Sequence, residues 1–309
     1  MRAVSLRALA TGRCPQTVVR ACSRCRAVAC GATSPRRIDV VGAGFAGVAV
    51  TYFLLKQAAE AQLSVSVSLH DAKGVGGGAS GVAAGLLNPF SARGASLWRG
   101  VEGCEATERL LAVSEQALGR PVSCLGGSLH PLRSTPGKTS PPRSGRQQLS
   151  VEEAWTQHGL RLPATFQGLD VYAGGRVIDA PAYLAGLWAA CQALARDAGN
   201  VDVQLCTQRV PSLGHLEAQG AGDIIVCAGA ATTLLPELAL LPLTTSGGHV
   251  AVLDTQAAAP HTSPAVMLPG AGYCAPTGDG SVVVGATKAC ALHSTAISLG
   301  WPHVEFRGG

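Results

Sequence analysis

The feature that most constrains this chain is a strand, a glycine-rich turn and a helix in direct succession, at Arg37-Ile-Asp-Val-Val-Gly-Ala-Gly-Phe-Ala-Gly-Val-Ala-Val-Thr-Tyr-Phe-Leu-Leu-Lys56. Ile38 to Val41 is a short apolar run suited to a strand buried on both faces, and Phe45 to Gln57 continues as a good helix former. Between them Gly42, Gly44 and Gly47 stand at G-x-G-x-x-G spacing. Gly42 suits the tight strand-to-helix turn, Gly44 leaves bare backbone for a pyrophosphate, and Gly47 lets helix and strand pack closely. Phosphates placed there face the first-turn amides around Phe45 and Ala46, where unpaired N–H groups and the positive end of the helix dipole favour anions.

A lone glycine fingerprint is weak, so its context decides. Ser64 to Leu69 alternates polar and apolar residues as a second strand does, and it ends in His70-Asp71. Asp71 lies 24 residues beyond Gly47, at the position expected to grip the hydroxyls of an adenosine ribose once the Ala58–Gln62 loop absorbs the excess length. A dinucleotide site is therefore expected, and Asp71 is its ribose ligand.

Composition excludes several other classes. With 47% hydrophobic residues, 14% charged and a mean hydropathy of +0.25 over 309 residues, the chain has ample material for a core and is not disordered. The longest apolar run, Val40 to Leu55, falls short of the roughly 20 residues of a bilayer span and contains three glycines, so no membrane span is expected. Met1 to Arg37 holds eight arginines and no acid, so the net charge of +5 becomes −3 for the rest. That body gives no reason to expect a nucleic-acid partner. The leader composition reads as an organelle transit peptide over residues 1–37, plastid first and mitochondrion second. Its Cys22-Ser23-Arg24-Cys25 lacks the second pair or the histidines of a zinc site. Four of the eleven cysteines lie in that leader, and the seven beyond it read as buried free thiols.

Which dinucleotide is decided next, at Asp71-Ala-Lys-Gly-Val-Gly-Gly-Gly-Ala-Ser-Gly-Val-Ala-Ala-Gly-Leu-Leu-Asn-Pro-Phe90. An NAD-dependent dehydrogenase, the rival for this fingerprint, normally carries an ordinary helical crossover here. A long small-residue loop from Gly74 to Gly85 suggests instead that a bulkier group, such as a flavin with its ribityl chain, passes close to backbone. The run Gly77 to Phe90, followed by Leu97-Trp98-Arg99-Gly100, resembles the FAD-dependent oxidoreductases of the D-amino acid oxidase-like superfamily. Among them it is similar to plastid and bacterial members related to the oxidase domain of the bifunctional tRNA methylaminomethyl-uridine enzyme. Further segments resemble the family in order: Gly175 to Pro181 leading into a helix over Ala182 to Asp197, a strand at Val201 to Leu205 with its turn through Val210, a strand at Asp223 to Ala230, and a hairpin at Gly270 to Thr287 turning at Gly278-Asp279-Gly280.

The resemblance implies an α/β fold: a Rossmann-like FAD-binding domain with an interleaved, mainly β substrate domain. The cofactor part is expected at about 38–123, 175–239 and 270–288, and the substrate part at about 124–174 and 240–269. It implies FAD contacts at Ala79, Ser80 and Gly81, and beside Val210, Ala228 and Gly229. The implied activity is oxidation of a C–N bond in a small amine or amino acid by hydride transfer to flavin. No catalytic side chain is singled out, because the cofactor performs the difficult step. Arg99 and Tyr273 are candidates for a substrate carboxylate. Nothing in the sequence fixes an oligomeric state.

The resemblance covers about Ile38 to Lys288. From Ala289 to Gly309 the chain departs from the family pattern, an atypical end that reads as a truncation and makes a non-catalytic flavoprotein fold the second reading. Two other features are set aside. Pro136-Gly-Lys-Thr139 lacks the glycine and the preceding strand of a phosphate loop, and Ser134 to Arg146 reads as an exposed Pro/Ser/Arg loop. His158, His215, His249 and His261 lack the partners of a metal site, so none is expected.

Overall fold

The computed structural model describes residues 34–92, 94–124, 126–134, 145–254, 264–268, 272–277, 280–287 and 305–306. In chain order the elements are β1 (Arg36–Val41), α1 (Phe45–Glu60), β2 (Val65–His70), β3 (Leu86–Leu87), α2 (Gly100–Leu118), β4 (Ser123–Cys124), β5 (Ser128–Arg133), β6 (Gln147–Leu149), α3 (Val151–His158), β7 (Leu160–Arg161), β8 (Phe166–Tyr172), β9 (Arg176–Ile178), α4 (Ala180–Ala198), β10 (Val201–Cys206), α5 (Leu213–Ala218), β11 (Asp223–Val226), β12 (Ala251–Asp254), β13 (Ala265–Leu268), β14 (Gly272–Pro276), β15 (Ser281–Gly285) and β16 (Glu305–Phe306). Short 3-10 turns occupy Ala79–Val82, Gly229–Leu234 and Pro236–Leu238.

Four strands form a parallel sheet in the order β10-β2-β1-β11. Side chains alternate across a strand, so Ile38 and Val40, Val65, Val67 and Leu69, and Val201 share one face. They pack with Val48 and Leu55 of α1, Leu110 and Leu111 of α2, and Leu184 and Leu187 of α4 in one core. The alternating Ser/Val pattern of β2 now has a cause. Its valines meet the helices, while Ser68 on the other face accepts from Gln204 Nε2 at 2.9 Å.

Helix α4 starts where the sequence places a cap. The Asp179 side chain accepts from the amide of Ala182, and Pro181 sits in the first turn, where a missing N–H is no loss. Helix α3 opens on a reciprocal capping box between Ser150 and Glu153.

A second, seven-stranded sheet runs β12-β15-β14-β13-β5-β8-β6, antiparallel except where β13 meets β5. Leu129, Leu149, Phe166, Leu169, Val266 and Leu268 of this sheet close on Ala154 and Leu160 in a separate core. The small sheet β3-β9-β4 lies in sequence between the two, and a third cluster joins Ala84 and Val177 to Ala265, Ala275 and Val283 of the large sheet.

Three expectations are corrected. The hairpin β14–β15, expected with the cofactor part at 270–288, lies in the middle of the seven-stranded sheet, between β12 and β13. Its turn residues 278 and 279 lie outside the described residues. Arg36 and Arg37, counted in the leader, are the first residues of β1, where Arg36 Nε meets Asp223 Oδ2 at 2.7 Å across to β11. Arg146, expected in an exposed loop, is buried: its guanidinium lies 3.3 Å from Asp170, donates to the Gly94 carbonyl at 2.6 Å and stacks 3.6 Å over the Phe90 ring. A polar head with a carboxylate, a carbonyl and an aromatic face as partners can be buried without leaving its charge unpaired. Within the atypical C-terminal stretch, Glu305–Phe306 adds a strand antiparallel to β7.

Candidate functional site

The glycine turn is knit tightly at its base. Gly42 has φ +106°, and a Cβ there would run into the backbone of Cys227 and Ala228 at the end of β11. A Cβ on Gly47 would fall on the carbonyl oxygen of Gly42, so only glycine lets α1 approach the strand end. At Gly44 the obstacle is different from the one expected. A side chain would meet Ser80 Oγ at 2.7 Å. That hydroxyl accepts from the amide of Phe45 at 3.1 Å, which brings the Ala79–Val82 turn against the first turn of α1. Among the described residues no protein group accepts from the amides of Gly44, Ala46 or Gly47. With the hydrogen of the Ser80 hydroxyl also uncommitted, this is a set of donors converging where an anion would sit.

Asp71 sits beside the turn. One carboxylate oxygen accepts from the amide of Ala43 at 2.9 Å and the other from that of Lys73 at 2.9 Å, so the side chain is fixed in place with further acceptor capacity on both oxygens.

Two cavities share the turn. The smaller, about 420 Å³, is lined by Gly42, His70, Asp71, Lys73, Val210 and Ala228, with Gln208 and Arg209 among its other walls. Lys73 and Arg209 put two cations in its lining. The larger, about 500 Å³, lies against Phe45 and Ala46 and is walled by Ala84 to Leu87, Leu110, Ile178, Tyr183 and Tyr273. Its described lining carries no charged side chain. Burial pushes the phenol of Tyr183 up to about 12, and that of Tyr273 in the same direction, so both stay protonated near neutral pH.

Comparison with known proteins bears on this geometry directly. No curated protein sequence matches the chain. The sequence profile of the FAD dependent oxidoreductase (DAO) family matches residues 37–303. The chain belongs to that family. Among solved structures it is similar to glycine oxidase from Geobacillus kaustophilus, with 18% identity over 85% of this chain and 75% of that one and a TM-score of 0.66. It is also similar to iminodiacetate oxidase from Chelativorans sp. BNC1, with 18% identity, 84% and 75% coverage and a TM-score of 0.59. A third is L-proline dehydrogenase from P. horikoshii, with 13% identity, 86% and 74% coverage and a TM-score of 0.61. At such identities the likeness is one of fold. The family match runs past Lys288, so the stretch from Ala289 is not wholly foreign to it.

The cofactor of this DAO-family chain is FAD, and the residues present fit it. Of the positions expected at the cofactor, Gly42, Asp71, Val210 and Ala228 line the smaller cavity, Phe45 and Ala46 the larger, and Gly44, Gly47, Ala79, Ser80 and Gly81 build the turn between them. Gly229 opens the 3-10 turn after β11 with φ +54°. The two substrate candidates part company. Tyr273 reaches the larger cavity, whereas Arg99 is the exposed, left-handed N-cap of α2, stacked 5.7 Å over Trp98, and lines none of the cavities described.

Lys73, Arg209, His70 and Tyr183 went unweighed as site residues. Lys73 and His70 flank Asp71 and Arg209 precedes Val210, so adjacency to the chosen residues was the available signal. Tyr183 carries no signal beyond its place in the first turn of α4. Among the described residues no group of three metal-ligating side chains comes together, and no helix is long and apolar enough to cross a membrane. Burial pushes the thiols of Cys104, Cys206 and Cys227 up, that of Cys191 to about 12 and that of Cys274 to about 11, which suits structural rather than reactive cysteines. Cys290, His261, the Cys22–Cys25 pair and the Pro136–Thr139 stretch lie outside the described residues.

Proposed function

We propose that this chain oxidises a C–N bond of a small amine or amino acid, with FAD extended from the smaller cavity across the glycine turn into the larger one. The observation that carries the reading is the arrangement of two cavities around one turn, polar and cationic on one side, apolar and uncharged on the other. In this reading Asp71 binds the ribose, the amides of Gly44, Ala46 and Gly47 with the Ser80 hydroxyl hold the pyrophosphate, and Lys73 and Arg209 balance its charge. When bound, FAD would supply a two-electron acceptor for the hydride on the carbon next to nitrogen, the imine so formed being hydrolysed by water and the reduced cofactor reoxidised by oxygen or another acceptor.

The chain's own residues align the substrate and exclude water. Ala84 to Leu87, Leu110 and Ile178 make a wall with little to stabilise bulk water, and the protonated phenols of Tyr183 and Tyr273 offer hydrogen bonds that orient a substrate without carrying charge. The named neighbours, a glycine oxidase and an iminodiacetate oxidase, act on compounds of this class, which supports the reading. The uncharged lining of the larger cavity is of a size that suits a small substrate.

The test is anaerobic mixing of the flavin-loaded protein with a panel of primary and secondary amines, D-amino acids and glycine derivatives. The expected result is bleaching of the flavin band by at least one amine and slower bleaching in Tyr273→Phe. Bleaching by dithionite but by no compound containing a C–N bond would contradict it. We further propose that the arginine-rich stretch ahead of β1 directs the chain to an organelle, plastid first, which imaging of a fluorescent protein fused behind residues 1–35 checks. Diffuse fluorescence throughout the cytosol would contradict it.

A further inference from the structure

The parallel sheet buries a polar chain on the face turned away from α1 and α4. Asp39 of β1 pairs in register with Ser68 of β2, and Val41 with His70, so Asp39 and His70 project on the same side of neighbouring strands. Asp39 is fully buried. Its Oδ2 accepts from Arg37 Nε at 3.0 Å and its Oδ1 from Arg37 Nη2 at 3.0 Å, and the same Oδ1 lies 2.7 Å from His70 Nε2.

This geometry assigns the hydrogens. An ionised carboxylate only accepts, so Nε2 of His70 carries a hydrogen and donates it. In the tautomer that carries this hydrogen on Nε2, the lone pair of the ring is on Nδ1. No described protein atom bonds Nδ1, and it is not sealed in the interior. His70 lines the smaller cavity, beside Asp71 and with Gln208 to Val210 and Ala228 in the same wall.

We propose that His70 determines specificity in this cavity, its Nδ1 accepting a hydrogen bond from the adenosine half of the cofactor, with Asp39 and Arg37 as positioning residues that fix the ring and its tautomer. The donor is either the exocyclic amine of adenine or the ribose 2′-hydroxyl. The proposal rests on FAD being the cofactor of this chain. An Arg37–Asp39–His70 group that only braced β1 against β2 would be indifferent to which groups the ligand carries.

The experiment is displacement of bound FAD, read by flavin fluorescence, with ADP, IDP and 2′-deoxy-ADP as competitors. It is run on the wild type, His70→Leu, His70→Gln and Asp39→Asn. The wild type is expected to bind at least one analogue about three- to tenfold more weakly than ADP, the worth of one neutral hydrogen bond. That discrimination disappears in His70→Leu and shrinks in Asp39→Asn, which no longer fixes the ring. It persists in His70→Gln, whose amide gives a hydrogen to Asp39 and keeps an oxygen for the ligand. If His70→Leu does not fold, the wild type and the other two variants decide the matter. Equal affinity of the wild type for all three competitors, or discrimination unchanged in a folded His70→Leu or Asp39→Asn, overturns the proposal and leaves the cofactor assignment standing. Failure of the wild type to bind FAD or ADP overturns both.

Discussion

The parallel sheet and the large mixed sheet each bury an arginine–aspartate pair, and the two pairs differ in what lies beyond them. In the parallel sheet the Arg37 side chain remains 32% exposed beside a fully buried Asp39, and the contacts continue through His70 to the smaller cavity. In the mixed sheet Arg146 and Asp170 are both sealed, at 2% and 1% exposure, and Arg146 ends on Phe90 and the Gly94 carbonyl in the segment between β3 and α2. One pair holds a side chain that lines a cavity. The other fastens a connecting segment onto a sheet. A buried ion pair is weak evidence for stability as such, because desolvation offsets its attraction, and what it fixes in place is the more informative question.

The contrast is most easily broken at the mixed sheet. Asp170→Ala leaves the Arg146 cation buried without its carboxylate, and a loss of about 3–5 kcal/mol in urea unfolding is expected. The surviving folded protein should still hold flavin, since the pair touches neither cavity; loss of flavin without loss of stability would erase the distinction between the two pairs. At the parallel sheet the expected signature is reversed. Gly47→Ala places a methyl group on the Gly42 carbonyl, so flavin retention should collapse alongside a stability loss of about 1–3 kcal/mol. Full flavin occupancy in this variant would remove Gly47 from the account.

Alkaline pH compares the two cores through their thiols. In the folded protein Cys191 of α4 titrates at about 12 and Cys274 of β14 at about 11, both from 9, because burial disfavours the thiolate. The stabilisation is fully present below pH 9. Above it the unfolded thiol releases its proton while the native one keeps it, so stability falls with rising pH until the folded thiol also ionises. The window runs to about 12 for Cys191 and about 11 for Cys274. By pH 10.5 Cys191 should account for about 2 kcal/mol of loss. Cys274 should account for nearly as much at that pH, so urea melts of Cys191→Ala and of Cys274→Ala should each show a shallower alkaline decline than the wild type, and an unchanged decline in either would mean that its thiol is not desolvated. The smallest effect belongs to Arg36→Ala. Its ion pair with Asp223 is solvent-exposed, and no measurable change in melting temperature is expected, although Asp223, held below the usual carboxylate range by the Arg36 hydrogen bond, should titrate higher.

Much of the cofactor side was legible because its signals are local. The Gly42–Gly47 turn, the strand–helix pair around it, Asp71 at the next strand end and the Asp179 cap of α4 each lie within a few residues of the feature they specify. What was not legible depends on partners distant in sequence. Arg146 sits in a Pro/Ser/Arg stretch that reads as solvated, and only the return of β8 with Asp170 gives it a reason to be buried. The hairpin β14–β15 announces its own pairing but not which sheet it joins, since β12 and β13 come from residues 251–268. His70 and Asp39 are 31 residues apart and meet only because β1 and β2 align in register. The arginines that open β1 were hidden by the arginine-rich composition of the residues before them, an average that cannot see where a strand begins.

The central claim is that the turn around Gly44 belongs to a fold that holds FAD. The most direct test is the absorption spectrum of the purified protein after addition of FAD and desalting, compared with that of Gly44→Val. Flavin bands that survive desalting in the wild type, release FAD on acid denaturation and vanish in a folded Gly44→Val protein are the predicted result. A folded, colourless wild type that takes up no added FAD would contradict the account.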